Sequence, residues 1–380
     1  MYAAFGVSSP FMPAFFEGRG LGPQQVGILF GAGTAIRLIA GPLVGRVADL
    51  SQALRGVLAI CELSAAVVAL GLLSAPALMP LLLTSLFHAA ALAPTTTLAD
   101  ALTLRAAQPV DGRPTFEYGW VRGTGSAVFI IGTLISGQVV AAWGLASIIL
   151  FQAVLLVAAS GVATLLPLGQ PPDAAREMQS LARGGAVVLL RMPVFRRVML
   201  VSALVLGSHA MHDTFAVIRW TASGITPTVA SGLWSLSVGA EVLVFFLIGP
   251  PLLRRLGPAA VVALAAGGGV VRWMVMASST SVMALAVVQP LHGLTFAALH
   301  LACMRIIGAI APPHLAATAQ AMYALGAGAM TALLTVASGS LYGAVGARGF
   351  LVMALLCAAA LPLARGLRAT VPTTSARSGG

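Results

Sequence analysis

A single carboxylate, Glu241, stands in the middle of Gly232-Leu-Trp-Ser-Leu-Ser-Val-Gly-Ala-Glu-Val-Leu-Val-Phe-Phe-Leu-Ile248, a stretch with no other charge. At the centre of a membrane helix an ionised carboxylate costs roughly 2.5–3.5 kcal/mol on insertion scales. Held away from bulk water it can exchange a proton near neutral pH, so Glu241 is the first candidate for proton coupling; the structural alternative is an ion pair. Two further acids, Glu62 and Asp213, lie clearly inside apolar stretches. Arg272 is the candidate partner of Glu241, unless it snorkels to the outer surface. His292 and His300, eight residues apart and offset by about 80° on a helix, can relay a proton or hydrogen-bond a solute. His209 and Asp213 are four apart and share a helix face. Arg37 lies too deep in its segment to snorkel easily, and a guanidinium there can hold a carboxylate bidentately; its alternatives are backbone capping or pairing with Asp49 or Glu62. Trp234, Phe11, Phe15 and Trp120 can stack an aromatic ring, although aromatics at membrane depth usually face lipid or another helix. No trio has metal-ligand spacing, and HExxH, GxSxG and phosphate-loop patterns are absent from the sequence. No catalytic residue, metal or cofactor is therefore expected. Cys61, Cys303 and Cys357 all fall in apolar segments without CxxC spacing and read as packing residues.

Elements of one kind must position these side chains. The 380 residues are 59% hydrophobic and 8% charged, against about 25% charged in a soluble domain, and a membrane span needs about 20 apolar residues. Apolar segments run approximately over 1–17, 24–45, 56–75, 78–103, 119–142 and 146–168, then 196–218, 227–250, 258–278, 281–304, 316–343 and 349–366. Span 1 begins at Met1 without a basic n-region, which argues against a cleavable signal; it is short for a bilayer crossing, so its true start is expected upstream. The longest polar stretch, 169–185, divides the chain six spans from six. The domain reading is a six-helix bundle over 1–168, a cytoplasmic linker over 169–195, a second bundle over 196–369 and a cytoplasmic tail over 370–380.

All 21 basic residues are Arg, giving a formal charge of +11. They are dispersed between spans rather than clustered, which argues against nucleic acid. With both termini cytoplasmic, sixteen arginines fall at inner loops and ends, and three, Arg19, Arg219 and Arg348, at outer ones. That bias sets the orientation and requires an even number of spans.

The halves echo each other. Gly123, Gly125 and Gly137 of span 5 match Gly326, Gly328 and Gly339 of span 11 at separations of 203, 203 and 202 residues. Gly41-Pro42 of span 2 matches Gly249-Pro250 of span 8 at 208, which places Glu241 within about a turn of the position Arg37 holds. Shared offsets in equivalent spans indicate a duplicated six-helix unit, and small residues also suit close helix packing.

Six plus six spans, the inner Arg bias and Gly41-Pro-Leu-Val-Gly-Arg-Val-Ala-Asp49 together resemble the major facilitator superfamily. The loop carries Gly45 and Asp49 of that superfamily's Gly-x-x-x-Asp signature but has Leu50 where a basic residue is usual. Leu98-Ala-Asp-Ala-Leu102, Glu117-Tyr-Gly-Trp-Val-Arg-Gly-Thr-Gly-Ser126, Leu233-Trp-Ser-Leu-Ser-Val-Gly-Ala-Glu-Val242, Gly269-Val-Val-Arg-Trp273 and Val288-Gln-Pro-Leu-His-Gly-Leu-Thr-Phe296 resemble its phenylpropionate-permease branch, whose wider group includes lactose-permease-like and nucleoside–proton symporters.

The resemblance implies an all-α integral membrane protein with twelve transmembrane helices in two six-helix repeats, the major facilitator fold. It implies a cavity lined by spans 1, 4, 7 and 10, and proton-coupled uptake of a small organic solute by alternating access in the bacterial inner membrane. Proton-coupling candidates are then Glu241, Arg272 and His292. Substrate-binding candidates are Arg37, His292, His300, His209 and Trp234, and gating candidates are Asp49 with an Asp100–Arg122 salt bridge. The expected partners are protons, a small-molecule solute and the lipid bilayer, with the chain a monomer. A proton-antiport exporter is the competing reading, weakened because Gly123–Gly137 contains no proline; a membrane enzyme or sensor is weaker still.

Overall fold

The structure, a computed structural model, describes residues 1–74, 77–107, 118–166 and 185–367. The linker up to 184, the tail from 368, and Arg113, Glu117, Arg176, Arg183, Arg368 and Arg377 lie outside the described residues. Among the described residues every regular element is a helix. Span 1 consists of α1 (Tyr2–Ser8) and α2 (Met12–Gly18), span 2 of α3 (Pro23–Leu50), span 3 of α4 (Leu54–Ser74), and span 4 of α5 (Leu78–Leu92) and α6 (Thr95–Ala106). Spans 5 and 6 are α7 (Tyr118–Trp143) and α8 (Ser147–Leu165), and α9 (Gly185–Arg191) precedes span 7, made of α10 (Pro193–Gly207) and α11 (Ala210–Ala222). Span 8 runs α12 (Pro227–Leu243), a π-helical turn Val244–Ile248, and α13 (Gly249–Leu256); span 9 is α14 (Pro258–Ser278). Span 10 runs α15 (Val282–Val288), a 3₁₀ turn Gln289–Leu291, a π-helical turn Gly293–Ala298, and α16 (Leu299–Ile310). Spans 11 and 12 are α17 (Ala316–Val345) and α18 (Phe350–Arg365).

Ten of the described helical stretches are long and apolar enough to cross a membrane. One of them, Pro313–Arg365, holds both α17 and α18, and span 1 is two helices of seven residues each. Proline opens α3, α10, α12 and α14, where its missing N–H is no loss. Gly144 and Gly257, at φ +76° and +75°, turn the chain between α7 and α8 and between α13 and α14, a backbone region glycine enters without steric penalty.

Two compact units are distinguished by their internal contacts. The first comprises Met1–Gln179, Asp213–Ser235 and Thr335–Ala344; the second comprises Ser180–His212, Leu236–Leu334 and Val345–Gly380. In the first unit the helices approach at backbone level. A Cβ on Gly132 would lie 2.5 Å from the Ala3 carbonyl oxygen, and the Thr133 hydroxyl donates to the Gly6 carbonyl at 3.1 Å. Gly27 and Gly339 face each other, a Cβ on Gly27 falling 2.7 Å from the Gly339 Cα. Ala4, Ala65, Ala66, Leu92, Ala153 and Leu156 form a buried cluster of α1, α4, α5 and α8. The second unit is filled with larger groups: Trp273, Phe195 and Phe350 are fully buried, and Trp273 stacks on Phe350 at 6.1 Å.

Candidate functional site

The second unit gathers its polar side chains at one helix crossing. Gly293 offers no side chain where α12 passes: a Cβ there would sit 2.7 Å from the Ala240 carbonyl oxygen and 2.8 Å from Val244. The residues next to that contact are Glu241 and His292, and their side chains meet, Oε2 to Nε2, at 3.4 Å. On α14, Gly268 and Gly269 lie against Leu294 and Thr295, so Arg272, one turn on, faces span 10. Its Nη1 donates to His292 Nδ1 at 3.0 Å, and its Nη2 donates to Gln289 Oε1 at 2.9 Å and to His212 Nε2 at 3.3 Å.

Local sequence explains why the helices deform here. Pro250 has no N–H to give the Phe246 carbonyl four residues back, and its ring crowds that carbonyl; the turn Val244–Ile248 widens to π geometry. Pro290 likewise falls in the tightened 3₁₀ turn of span 10, and the wide turn Gly293–Ala298 follows. Turns of this kind are rare in helices and recur at functional sites.

The donors fix the tautomers. A guanidinium only donates, so His292 Nδ1 accepts and its Nε2–H points at the Glu241 carboxylate. His212 Nε2 accepts from Arg272 and, at 3.2 Å, from the Gln289 amide. His209 Nδ1 donates to the Val205 carbonyl at 3.0 Å, leaving Nε2 to accept from the Thr295 hydroxyl at 2.9 Å. Beneath this set Trp273 Nε1 donates to Ser208 Oγ at 2.8 Å, and the Arg272 guanidinium lies 4.6 Å from the Trp273 ring centroid. Arg272 is wholly inaccessible to solvent, which removes the snorkelling alternative. Glu241 and His292 keep side-chain exposures of 24% and 15%, so the exposed end of the network is its acid.

The other sequence candidates divide. His209 is buried with both ring nitrogens engaged, a bracing position rather than one open to a solute. His300 is half-buried, its Nδ1 3.5 Å from the Tyr323 hydroxyl. Trp234 is half-buried on α12, two turns before Glu241, and Asp213 is exposed on α11. Arg37 is exposed midway along α3, between Gly33 and Gly41, which pack on Ala89 of α5 and on Ala93 just after it, and lies within electrostatic reach of His88. Neither Asp49 nor Glu62 pairs with Arg37 among the described residues. Glu62 is buried with Oε2 lacking a hydrogen-bond partner there.

The Asp100–Arg122 bridge is not formed in the structure. Arg122 instead donates to the Tyr2 hydroxyl and sits 5.3 Å from that ring's centroid, because α1 packs along α7 and brings the phenol to it. Asp49 is exposed at the end of α3. Phe11 and Phe15 are core residues of the first unit and Trp120 is 76% exposed. Sequence reasoning missed His212, Gln289 and Thr295. Among the described residues no group of three His, Cys, Asp or Glu side chains is placed to hold a metal ion.

Residues 1–352 match the MFS_1 like family. The chain is 32% identical over 369 residues to a probable 3-phenylpropionic acid transporter of Escherichia coli (strain K12), covering 95% of this chain and 93% of that protein. It is 23% identical over 305 residues to the uncharacterized transporter YwbF of Bacillus subtilis (strain 168), covering 80% and 74%. Among solved structures, a crystal structure of the nucleoside transporter NupG superposes with a TM-score of 0.79 at 18% identity, covering 97% of this chain and 95% of that one. A bacterial homologue of the lysosomal transporter Spinster in an inward-facing, occupied state gives 0.70 at 12% identity, covering 97% and 94%. The helix order, the apolar spans and these matches agree: the chain belongs to the MFS_1 like family and is a multi-pass membrane transporter of the major facilitator type, moving a small-molecule solute rather than catalysing a reaction.

Proposed function

We propose that this transporter takes up a small organic anion, an aromatic carboxylate, by symport with protons across the bacterial inner membrane, as a monomer with both termini cytoplasmic. The observation that carries the reading is the Glu241–His292–Arg272 chain: an accessible carboxylate held by an imidazole that a buried guanidinium orients. A proton arriving at Glu241 neutralises the carboxylate and weakens its hold on His292 Nε2–H, while Arg272 keeps the imidazole in place through Nδ1. Gln289 and His212 hold Arg272 in turn, so protonation changes one contact and leaves the rest standing. That is a change of state a carrier can bias between its two conformations. The 32% identical relative is named for an aryl-substituted carboxylic acid, and Arg37, exposed deep within its span, supplies a cation suited to such a group. Sequence segments 1–168 and 196–369 are the two repeats of the carrier, joined by a cytoplasmic linker.

The test is transport by purified protein in liposomes with an internal pH dye. Wild type is expected to accumulate 3-phenylpropionate against its gradient when the outside is acid, and to acidify the lumen as it does so. Glu241→Gln is expected to lose accumulation entirely yet exchange labelled for unlabelled solute at near wild-type rate. Uphill accumulation by the Gln variant would overturn the assignment of Glu241, and solute driven out as protons enter would replace symport by antiport.

A further inference from the structure

We propose that Phe245, Phe296 and His300 form a subsite for the aromatic ring of the solute, beside the Glu241–His292 pair. The assignment rests on the aromatic-carboxylate reading above and adds to it the residues that select the ring. Each phenylalanine sits in one of the two π-helical turns, Phe245 in Val244–Ile248 and Phe296 in Gly293–Ala298. These turns meet at the Gly293 contact. Their rings continue the polar network as a chain of aromatic contacts. His292 stacks on Phe296 at 5.5 Å with planes 13° apart, Phe296 meets Phe245 edge-on at 6.5 Å, and Phe245 meets His300 edge-on at 6.0 Å. Tyr323, 4% exposed, lies behind His300 at 5.7 Å and ends the chain in the core.

The opening of this array is polar. Glu241 keeps 24% side-chain exposure, and a carboxylate facing hydrocarbon costs several kcal/mol, so the face it shares with His292 is one that admits water. Phe296 is stacked on that same imidazole and is 38% exposed. A large apolar ring left accessible beside a charged pair is a surface that an apolar ligand group covers. Aromatic rings join such arrays favourably at centroid separations of 4.5–7 Å, edge-to-face or offset, the spacings already present. A phenyl group fits that pattern, whereas a flexible alkyl chain gains burial without the ring–ring term.

The experiment compares liposome uptake of 3-phenylpropionate and of hexanoate by wild type, Phe296→Leu, Phe245→Leu and Phe296→Tyr. Phe296→Leu is expected to raise KM for 3-phenylpropionate about tenfold and leave KM for hexanoate within about twofold. Phe245→Leu is expected to act in the same direction more weakly, and Phe296→Tyr to retain the wild-type ratio of the two KM values. If Phe296→Leu does not reach the membrane, the ratio is read from Phe245→Leu on the other helix. Wild-type uptake of 3-phenylpropionate combined with an unchanged ratio in the leucine variants overturns the ring subsite alone. A wild type that takes up neither acid overturns the carboxylate reading, and the subsite with it.

Discussion

The first compact unit leaves several of its polar residues unpartnered or paired in twos, while the second wires seven of them together. In the first, Arg37 is exposed on α3 and makes no ion pair or hydrogen bond among the described residues; Glu62, Ser85 and His88 are buried, each with a polar atom lacking a hydrogen-bond partner there. In the second, Glu241, His292, Arg272, Gln289 and His212 form one continuous set of contacts, with His209 and Thr295 packed against it. An isolated cation has its hydrogen-bonding capacity available to a ligand. One whose two terminal nitrogens are already engaged acts through its neighbours. Under the proposed symport, Arg37 is the residue suited to direct binding and Arg272 the one suited to orienting His292.

The sharpest way to break this contrast is to remove each arginine in turn. Arg272→Met leaves His292, Gln289 and His212 without their common donor inside the protein. Each buried acceptor left without its donor costs about 1–3 kcal/mol. Thermal unfolding in detergent is expected to show a large fall in Tm, with proton-driven accumulation lost. An unchanged Tm would mean that the network does not hold the second unit together.

Arg37→Met is expected to give the opposite profile. With no hydrogen bond or ion pair to break among the described residues, its Tm is expected to stay within a degree or two of wild type. Losing a charge-assisted hydrogen bond to a carboxylate, worth about 1.5–3 kcal/mol, raises KM for the anion by roughly 10- to 150-fold. An equal loss of stability in both arginine variants would erase the distinction between the units.

The parts of this arrangement legible in sequence are those set by desolvation. The apolar runs, and the single carboxylate within span 8, read directly because the bilayer penalises charge wherever it is unpaired. The same reasoning marked Arg272 and His292 as its neighbours. The network's remaining members were hidden because their partners depend on where helices cross. Gln289 looks like an ordinary polar residue until Pro290 tightens its turn, and Thr295 until Gly269 lets α14 approach. His212 had a visible signal, lying three residues from His209 and beside Asp213, but its partners come from spans 9 and 10. The deformed turns were foreshadowed by Gly249-Pro-Pro251 and Gln289-Pro290. The Tyr2 partner of Arg122 was hidden for a different reason: opposite charges near one end of adjacent spans suggest a pair, but α1 brings a phenol to the guanidinium. Of the matched glycines, Gly137 and Gly339 both make backbone-level contacts, while Gly123 has nothing within 4 Å. Equal spacing therefore does not assign each glycine the same packing duty.

The smallest expected effect isolates the wiring from burial. Ser85 and Thr295 are both buried hydroxyls, at 8% and 0% exposure, one in each unit. Ser85 Oγ has no hydrogen-bond partner among the described residues, so Ser85→Ala removes a desolvated polar group that gains nothing from its surroundings. Its stability is expected to be unchanged or slightly higher. Thr295→Val keeps the shape of the side chain but deprives His209 Nε2 of its donor, and leaving a buried acceptor unsatisfied costs about 1–3 kcal/mol. Because His209 packs edge-on against His292 at 5.1 Å, the loosened imidazole also slackens the positioning of the proton-handling pair. The accumulation ratio at a fixed pH gradient is therefore expected to fall while solute exchange continues. Matched stabilities for Ser85→Ala and Thr295→Val would show that a hydroxyl in the second unit is no more engaged than one in the first, and the contrast between the units would reduce to their arginines.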